Sequence, residues 1–123
     1  MEIVSLMITK LYYHISNGLN PYRNQAIEEY LLQSVGQNCC ILYLWQNQKT
    51  VVIGKNQNPW KECHGETLES EGGHVARRLS GGGAVFHDLG NLNFTFLVHS
   101  DDYDVSRQSA VILRALNKLG LKA

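Results

Sequence analysis

Arg77-Arg78-Leu79-Ser80-Gly81-Gly82-Gly83-Ala84-Val85-Phe86-His87-Asp88-Leu89-Gly90-Asn91 is the stretch on which the reading of this 123-residue chain turns. Two guanidinium groups stand beside three consecutive glycines. Without a Cβ, such a backbone can lie close against a ligand. Its successive N–H groups can converge on an anion as a nest. Arginine adds a planar, permanently charged fork that matches phosphate or carboxylate geometry. The combination suggests a phosphate or carboxylate cradle. The plainer alternative is a glycine-rich hairpin turn with two solvated arginines.

Two familiar cradles fail here, and the failure bears on the fold. A Walker loop needs a lysine after its last glycine, and none follows Gly83. A dinucleotide fingerprint needs a third glycine opening a helix; Phe86 stands at that position. Past the glycines, Ala84-Val85-Phe86 and then Leu92 to Val98 read as strand. The loop therefore joins strand to strand, which argues for an α+β chain with a mixed, mostly antiparallel sheet flanked by helices.

Working outward, His74 to Arg78 is a strand entering the loop, and Trp60 to Glu71 a helix weakened by Gly65. Cys40 to Trp45 reads as a buried strand with Thr50 to Ile53 as its hairpin partner. Asn20 caps a helix with Pro21 at its first position. That helix runs over Tyr22 to Val35, with Ala26, Ile27, Tyr30 and Leu31 on one face and Gly36 just past its end. Residues 3 to 15 read as one strand or two short ones. Beyond the loop, Leu92, Phe94, Phe96 and Val98 form one face of a half-buried strand and Asn93, Thr95 and Leu97 the other, where Leu97 suggests partial cover too. Val105 to Leu119 is an amphipathic helix closed by Gly120, and Leu121 to Ala123 reads as the start of a further strand.

Composition narrows the function classes. The 11 basic and 11 acidic residues cancel, and outside Arg77-Arg78 the basic residues are scattered. Neither nucleic acid nor an anionic membrane is an expected partner. Glu2 occupies the place of a positive leader segment, and the apolar run Ile3 to Ile8 is short for a secretory signal, so a cytoplasmic location is expected. Three cysteines, Cys39, Cys40 and Cys63, two of them adjacent, do not form a disulfide framework. With no Cys-x-x-Cys pair, no metal site is expected.

The whole stretch from Arg77 to Asp88 resembles the Arg-Arg-x-Ser-Gly-Gly-Gly-x-Val-x-His-Asp motif of the lipoate–protein ligase A family, at every specified position. The likeness continues through Gly90-Asn91 to Phe94 and Phe96. Asn24-Gln25-Ala26-Ile27-Glu28-Glu29 resembles the family's Asn-x-Ala-x-Glu-Glu segment. Val51-Val52-Ile53-Gly54 through Asn58-Pro59-Trp60-Lys61-Glu62-Cys63 resembles its loop between a core strand and a helix.

The resemblance implies the biotin/lipoyl ligase catalytic fold, related to class II aminoacyl-tRNA synthetases. It implies an ATP-dependent enzyme that converts lipoate to lipoyl-AMP and passes the lipoyl group to a lysine. The acceptor would be a lipoyl domain of a 2-oxoacid dehydrogenase or a glycine-cleavage protein, and Mg2+ would accompany ATP. By the same resemblance Arg78, Gly83, Ala84, Val85 and Phe86 contact the adenylate. Trp45, Gly54, Ser80, Gly82, His87 and Asn91 contact lipoate. Apolar walls for the acyl tail are expected from Trp45, Val52, Val85 and Phe94. Glu28 and Glu29 read as a solvated helix surface, the alternative being one carboxylate turned inward to hold the loop. His87-Asp88 does not read as a catalytic pair, because neighbours on an extended segment point to opposite faces.

Residues 1–123 correspond to the N-terminal part of the family's single catalytic domain. The family's catalytic lysine falls in a later segment, past Ala123. The loss of one preorganised charge of that kind costs about 3 kcal/mol of barrier. The other readings are a non-catalytic lipoate- or adenylate-binding remnant, an inactive fragment, or an acyltransferase using a preformed lipoyl or octanoyl donor. A second chain, or self-association, would then cover the missing part.

Overall fold

The computed structural model describes residues 8–122. Two three-stranded sheets are built on the same plan. In the first, β1 (Lys10–Ile15) runs parallel to β2 (Cys39–Trp45), with helix α1 (Pro21–Ser34) as the crossover between them. In the second, β3 (Thr50–Ile53) runs parallel to β4 (His74–Arg77), and the crossover carries two short helices, α2 (Pro59–Glu62) and α3 (Gly65–Ser70). Each sheet then gains one antiparallel strand. β5 (Val85–His87) pairs with β3, and β6 (Asn93–Val98) pairs with β2. A 3₁₀ turn at Ser100–Asp102 leads to α4 (Val105–Lys118).

The α+β class with mixed strands flanked by helices stands, but the strands divide between two sheets. Among the described residues two pairings are parallel and two antiparallel, in place of the mostly antiparallel sheet expected, because each sheet is built around a β–helix–β crossover instead of hairpins. The expected hairpin between Cys40–Trp45 and Thr50–Ile53 does not form. Asn47 in the connection is fully buried and bonded on both sides, which sends β3 into the second sheet instead of back along β2. The expected helix over Trp60 to Glu71 is broken in two. Cys63 is extended, with φ −156° and ψ 162°, and Gly65 beyond it has too little helix propensity to hold the two turns in line. The expected strand over residues 3 to 15 is found as β1; residues 3–7 of it lie outside the described residues. Leu121 and Lys122 form no strand, and Ala123 lies outside the described residues.

Helix α1 begins as the sequence dictates. The Asn20 side chain accepts from the Tyr22 and Arg23 amides, at 2.9 and 3.2 Å, and Pro21 takes the position where no N–H is needed. Its apolar residues Ile27 and Leu31, with Val35 at its C-cap, pack on Ile41, Tyr43, Trp45 and Leu97 of the first sheet. The buried face of β6 is therefore Asn93, Thr95 and Leu97, opposite to the one the apolar alternation suggested. Phe94 and Phe96 point the other way, where with Leu42 and Leu44 they face α4 residues Val111, Ile112, Ala115 and Leu116 across an apolar cleft of about 340 Å³.

Hydrogen bonds tie the first sheet and its helix to both edges of the second sheet. Tyr22 of α1 donates its hydroxyl to the Val75 carbonyl at 2.9 Å, and Gln46 donates to the Leu89 carbonyl at 3.1 Å. The first bond holds α1 on β4, and the second holds the end of β2 beside the segment that follows β5.

Candidate functional site

A cleft of about 330 Å³ opens where the sheets meet. The second sheet and the glycine loop supply one wall: Val52, Arg78, Ser80, Val85 and His87. Helix α1 and the first sheet supply the other: Gln25, Glu28, Trp45, Asn93 and Thr95. Charge and apolar surface thus share one cavity, as a site for an acid with a hydrocarbon body requires.

The loop is held by its own arginines. Arg77 Nη1 donates to the carbonyls of Lys55 at 2.9 Å and Gln57 at 2.8 Å, pinning the segment after β3. Arg78 donates through Nη2 to the Gly81 and Gly83 carbonyls, at 2.9 and 2.7 Å, and through Nε to Gly81 at 3.2 Å. Gly82 sits between with φ +106°, a conformation that a side chain would strain. With the carbonyls of Gly81 and Gly83 turned to Arg78, none of the N–H groups of Gly81, Gly82 and Gly83 has an acceptor among the described residues. Gly54 lies directly beneath, and Lys55 N–H donates to the Ser80 carbonyl at 2.8 Å. A Cβ at Gly54 would come within 2.2 Å of the Gly82 oxygen.

His87 is buried, and its ring is fixed by a chain of amides. Fully buried Asn24 donates to Asn47 Oδ1 at 3.0 Å, and Asn47 Nδ2 meets His87 Nδ1 at 3.1 Å. With its oxygen occupied, Asn47 offers His87 a donor. His87 Nδ1 therefore accepts and Nε2 carries the proton. Burial and, after it, the positive Arg78 hold the His87 pKa below its usual 6.5, favouring this neutral form. Asn24 is itself held by the carbonyls of Gly18 and Gln46, at 3.2 and 2.8 Å, and by the Ser16 hydroxyl at 2.6 Å.

On the facing wall, Trp45 Nε1 donates to Thr95 Oγ1 at 3.1 Å, and the Thr95 hydroxyl donates to Glu28 Oε2 at 2.9 Å. Glu28 is thus turned inward, against the expectation of a solvated surface, and towards β6 instead of the loop. Burial raises its pKa above 4.5, and the Thr95 bond offsets part of that rise. Trp45 also meets the His87 ring edge-on at 5.9 Å between centroids.

The structure brings Trp45, Arg78, Ser80, Val85 and His87 into one cleft. Gly54, Gly82, Gly83, Ala84 and Phe86 are not in its walls; Gly54 acts from beneath, and Phe86 points away because β5 alternates. Asn91 reaches the cleft only through Asn93, donating to Oδ1 at 3.1 Å. Phe94 is no wall of it, for it lies on the α4 side of the first sheet. Asp88 turns outward and caps the Gly90 amide at 2.8 Å, so it does not pair with His87. Asn47, Thr95, Gln25 and Asn93 are site residues that the sequence does not single out: Gln25 fills an unspecified position of the Asn24–Glu29 segment, and the other three are isolated polar residues in an apolar run or a turn, which give no periodic signal.

Among the described residues no helix is long and apolar enough to cross a membrane.

With this geometry in place, the likenesses to known proteins are specific. Residues 20–123 match the family described as the lipoyl protein ligase A/B catalytic domain. The chain is 50% identical over 104 residues to a lipoate-protein ligase A of Psychrobacter cryohalolentis, an alignment covering 85% of this chain and 31% of that one. It superposes on the P. falciparum LipL1 structure in complex with lipoate with a TM-score of 0.79 and 37% identity, covering 88% of this chain and 36% of that one. A lipoate-protein ligase A structure with bound ATP gives a TM-score of 0.76 at 32% identity, covering 94% and 49%. The chain spans about a third of the length of the curated relatives it matches.

Proposed function

The chain belongs to the lipoyl protein ligase A/B catalytic-domain family, and on that premise we propose that its cleft binds lipoate and the adenylate formed from it in ATP-dependent protein lipoylation. The observation that carries this reading is the shared cavity: Arg78, Ser80 and the His87 ring on one wall with Val52 and Val85, and the Trp45 ring across from them.

The chemistry is set by what must be held. A lipoate carboxylate oxygen attacks the α-phosphorus of ATP, and pyrophosphate leaves. The amine of an acceptor lysine then attacks the acyl carbon, AMP leaves, and the amine loses its proton. The first step brings two anions together, so fixed donors and positive charge must offset their repulsion. Arg78 supplies the charge, the glycine N–H groups supply free donors, and His87 Nε2–H supplies a neutral donor whose direction is set by Asn47. Arg78 holds the loop carbonyls through Nε and Nη2, while Nη1, whose one contact among the described residues is the Val52 carbonyl at 3.4 Å, keeps an N–H for an anion. Such chemistry is mostly positioning and needs no protein nucleophile.

The side chains fit a nucleotide through its phosphates. Mg2+ would be carried with the phosphate oxygens and would offset part of their charge. The acceptor is a lysine on a lipoyl domain of a 2-oxoacid dehydrogenase or a glycine-cleavage protein.

The test is calorimetric titration of the chain with lipoate and with a non-hydrolysable lipoyl-adenylate analogue, beside lipoate-dependent ATP–pyrophosphate exchange. Analogue binding that weakens at least tenfold in Arg78→Ala supports the site. Exchange lost in the same variant shows that this chain itself activates lipoate. Absence of binding to both lipoate and the analogue overturns the reading.

A further inference from the structure

We propose that Gln25 and Asn93 select an acyl tail that carries hydrogen-bond acceptors over a bare hydrocarbon tail. The inference rests on the lipoate-site reading above and concerns which tail the cleft prefers.

Gln25 Nε2 and Asn93 Nδ2 are both buried, and neither finds an acceptor. Among the described residues only one other buried side-chain polar atom lacks a partner, Asp102 Oδ1, in the 3₁₀ turn away from this cleft. Two unpaired donors on one wall of one cavity mark a place where an acceptor belongs. The Asn93 amide is oriented by Asn91, whose Nδ2 donates to Asn93 Oδ1 at 3.1 Å, which leaves the NH2 end unpaired. Other polar groups on the same wall are bonded to each other, Trp45 to Thr95 and Thr95 to Glu28.

Charge decides which end of the ligand meets these donors. Arg78 lies on the second-sheet wall and draws a carboxylate or phosphate there. Glu28 lies beside Gln25 and Asn93, and an ionised carboxylate would repel an anion. The head of the ligand therefore lies against Arg78, and the tail runs towards α1 and β6. A hydrocarbon tail buries both amides without a partner. A tail with sulfur or oxygen near its end gives them one. A site built with donors rejects an analogue that lacks the matching acceptor, by roughly tenfold for each donor left unpaired. Sulfur is a weak acceptor, and a hydroxyl oxygen a stronger one.

Calorimetry on the full chain with lipoate, 8-hydroxyoctanoate and octanoate tests this. The expected order puts both acceptor-bearing acids at least tenfold tighter than octanoate, and the hydroxy acid separates oxygen acceptance from dithiolane shape. Gln25→Met and Asn93→Leu keep size and remove the donors. Each should lower the preference over octanoate, and the double variant should bring the 8-hydroxyoctanoate-to-octanoate ratio to about one or below. Equal binding of all three acids by the wild-type chain overturns the inference, as does a ratio that the single variants leave unchanged. Binding of none of them overturns the acyl-site reading as well, so the two failures are told apart.

Discussion

Asn24 Nδ2 donates to Asn47 Oδ1 at 3.0 Å, and this bond decides the protonation of a third residue. Asn47 cannot offer its oxygen twice in the same direction, so its amide N–H faces His87 Nδ1. A helix residue, a turn residue and a strand residue are thereby fixed against one another at the junction of the two sheets.

His87 should accordingly show the Nε2–H tautomer in nitrogen-15 NMR at neutral pH, with a midpoint below 6.5. Arg78→Ala removes the second cause of that depression and should raise the midpoint. It should leave it still under 6.5, because burial, the larger cause, remains. Since the folded pKa is lowered, the neutral ring contributes stability above pH 6.5 that is lost as pH falls through the folded midpoint. An Nδ1–H tautomer would contradict the amide chain.

Asn24→Ala should be the most costly of the polar substitutions near the site. It removes donors to Gly18, Gln46 and Asn47 and the acceptor for Ser16, all in a fully buried place. Leaving even one such group unpaired costs about 1–3 kcal/mol. Asn20→Ala, which loses only the exposed cap of the same helix, should cost about 1 kcal/mol. Denaturant midpoints of the two variants give the comparison, and the Asn24 variant should also weaken the His87 tautomer preference.

Glu28→Gln should stabilise the protein at neutral pH. Burial holds the Glu28 pKa above 4.5, so the folded state keeps its proton longer than the unfolded chain does. The stability contribution is whole below pH 4.5 and is lost as pH rises through the folded pKa. Glutamine carries no charge and still accepts from Thr95. Unfolding at pH 7 should favour the variant, and the gap should close below pH 4.5.

How much of this was legible in the sequence depends on the kind of signal. The motif from Arg77 to Asp88 announced the family, and Asn20-Pro21 announced the start of α1, because caps and contiguous motifs are local. Of the two faces of β6, the sequence favours the wrong one as the more buried, although Leu97 already hints at cover on the other. Phe94 and Phe96 look like core, but Asn93 and Thr95 face inward, where Trp45 and Glu28 satisfy Thr95 and Leu97 completes the packing. Composition alone assigns the apolar side to the interior. It cannot see that a polar cleft lies on one side of the sheet and α4 on the other. Likewise nothing in Cys40 to Ile53 told that two strands four residues apart in sequence belong to different sheets. That was decided by Asn47, whose partners Asn24 and His87 are 23 residues before and 40 after.

Two glycines, one beneath the loop and one within it, make opposite predictions. Gly54→Ala places a Cβ 2.2 Å from the Gly82 oxygen and 3.1 Å from its carbon, against backbone that cannot swing aside as a side chain can. The loop must move, and overpacking of this kind costs about 1–3 kcal/mol. Its movement also breaks the Lys55-to-Ser80 bond and releases the carbonyls that Arg78 holds. At Gly83 no atom lies within 4 Å of an added Cβ and φ is not positive, so Gly83→Ala should change stability by only a few tenths of a kcal/mol. Thermal unfolding and lipoyl-adenylate-analogue binding of the pair separate two ideas of the loop. Loss in Gly54→Ala with retention in Gly83→Ala means that the shape under the loop is what the site requires. Equal loss in both would mean that the ligand itself lies against Gly83, in space that is open here.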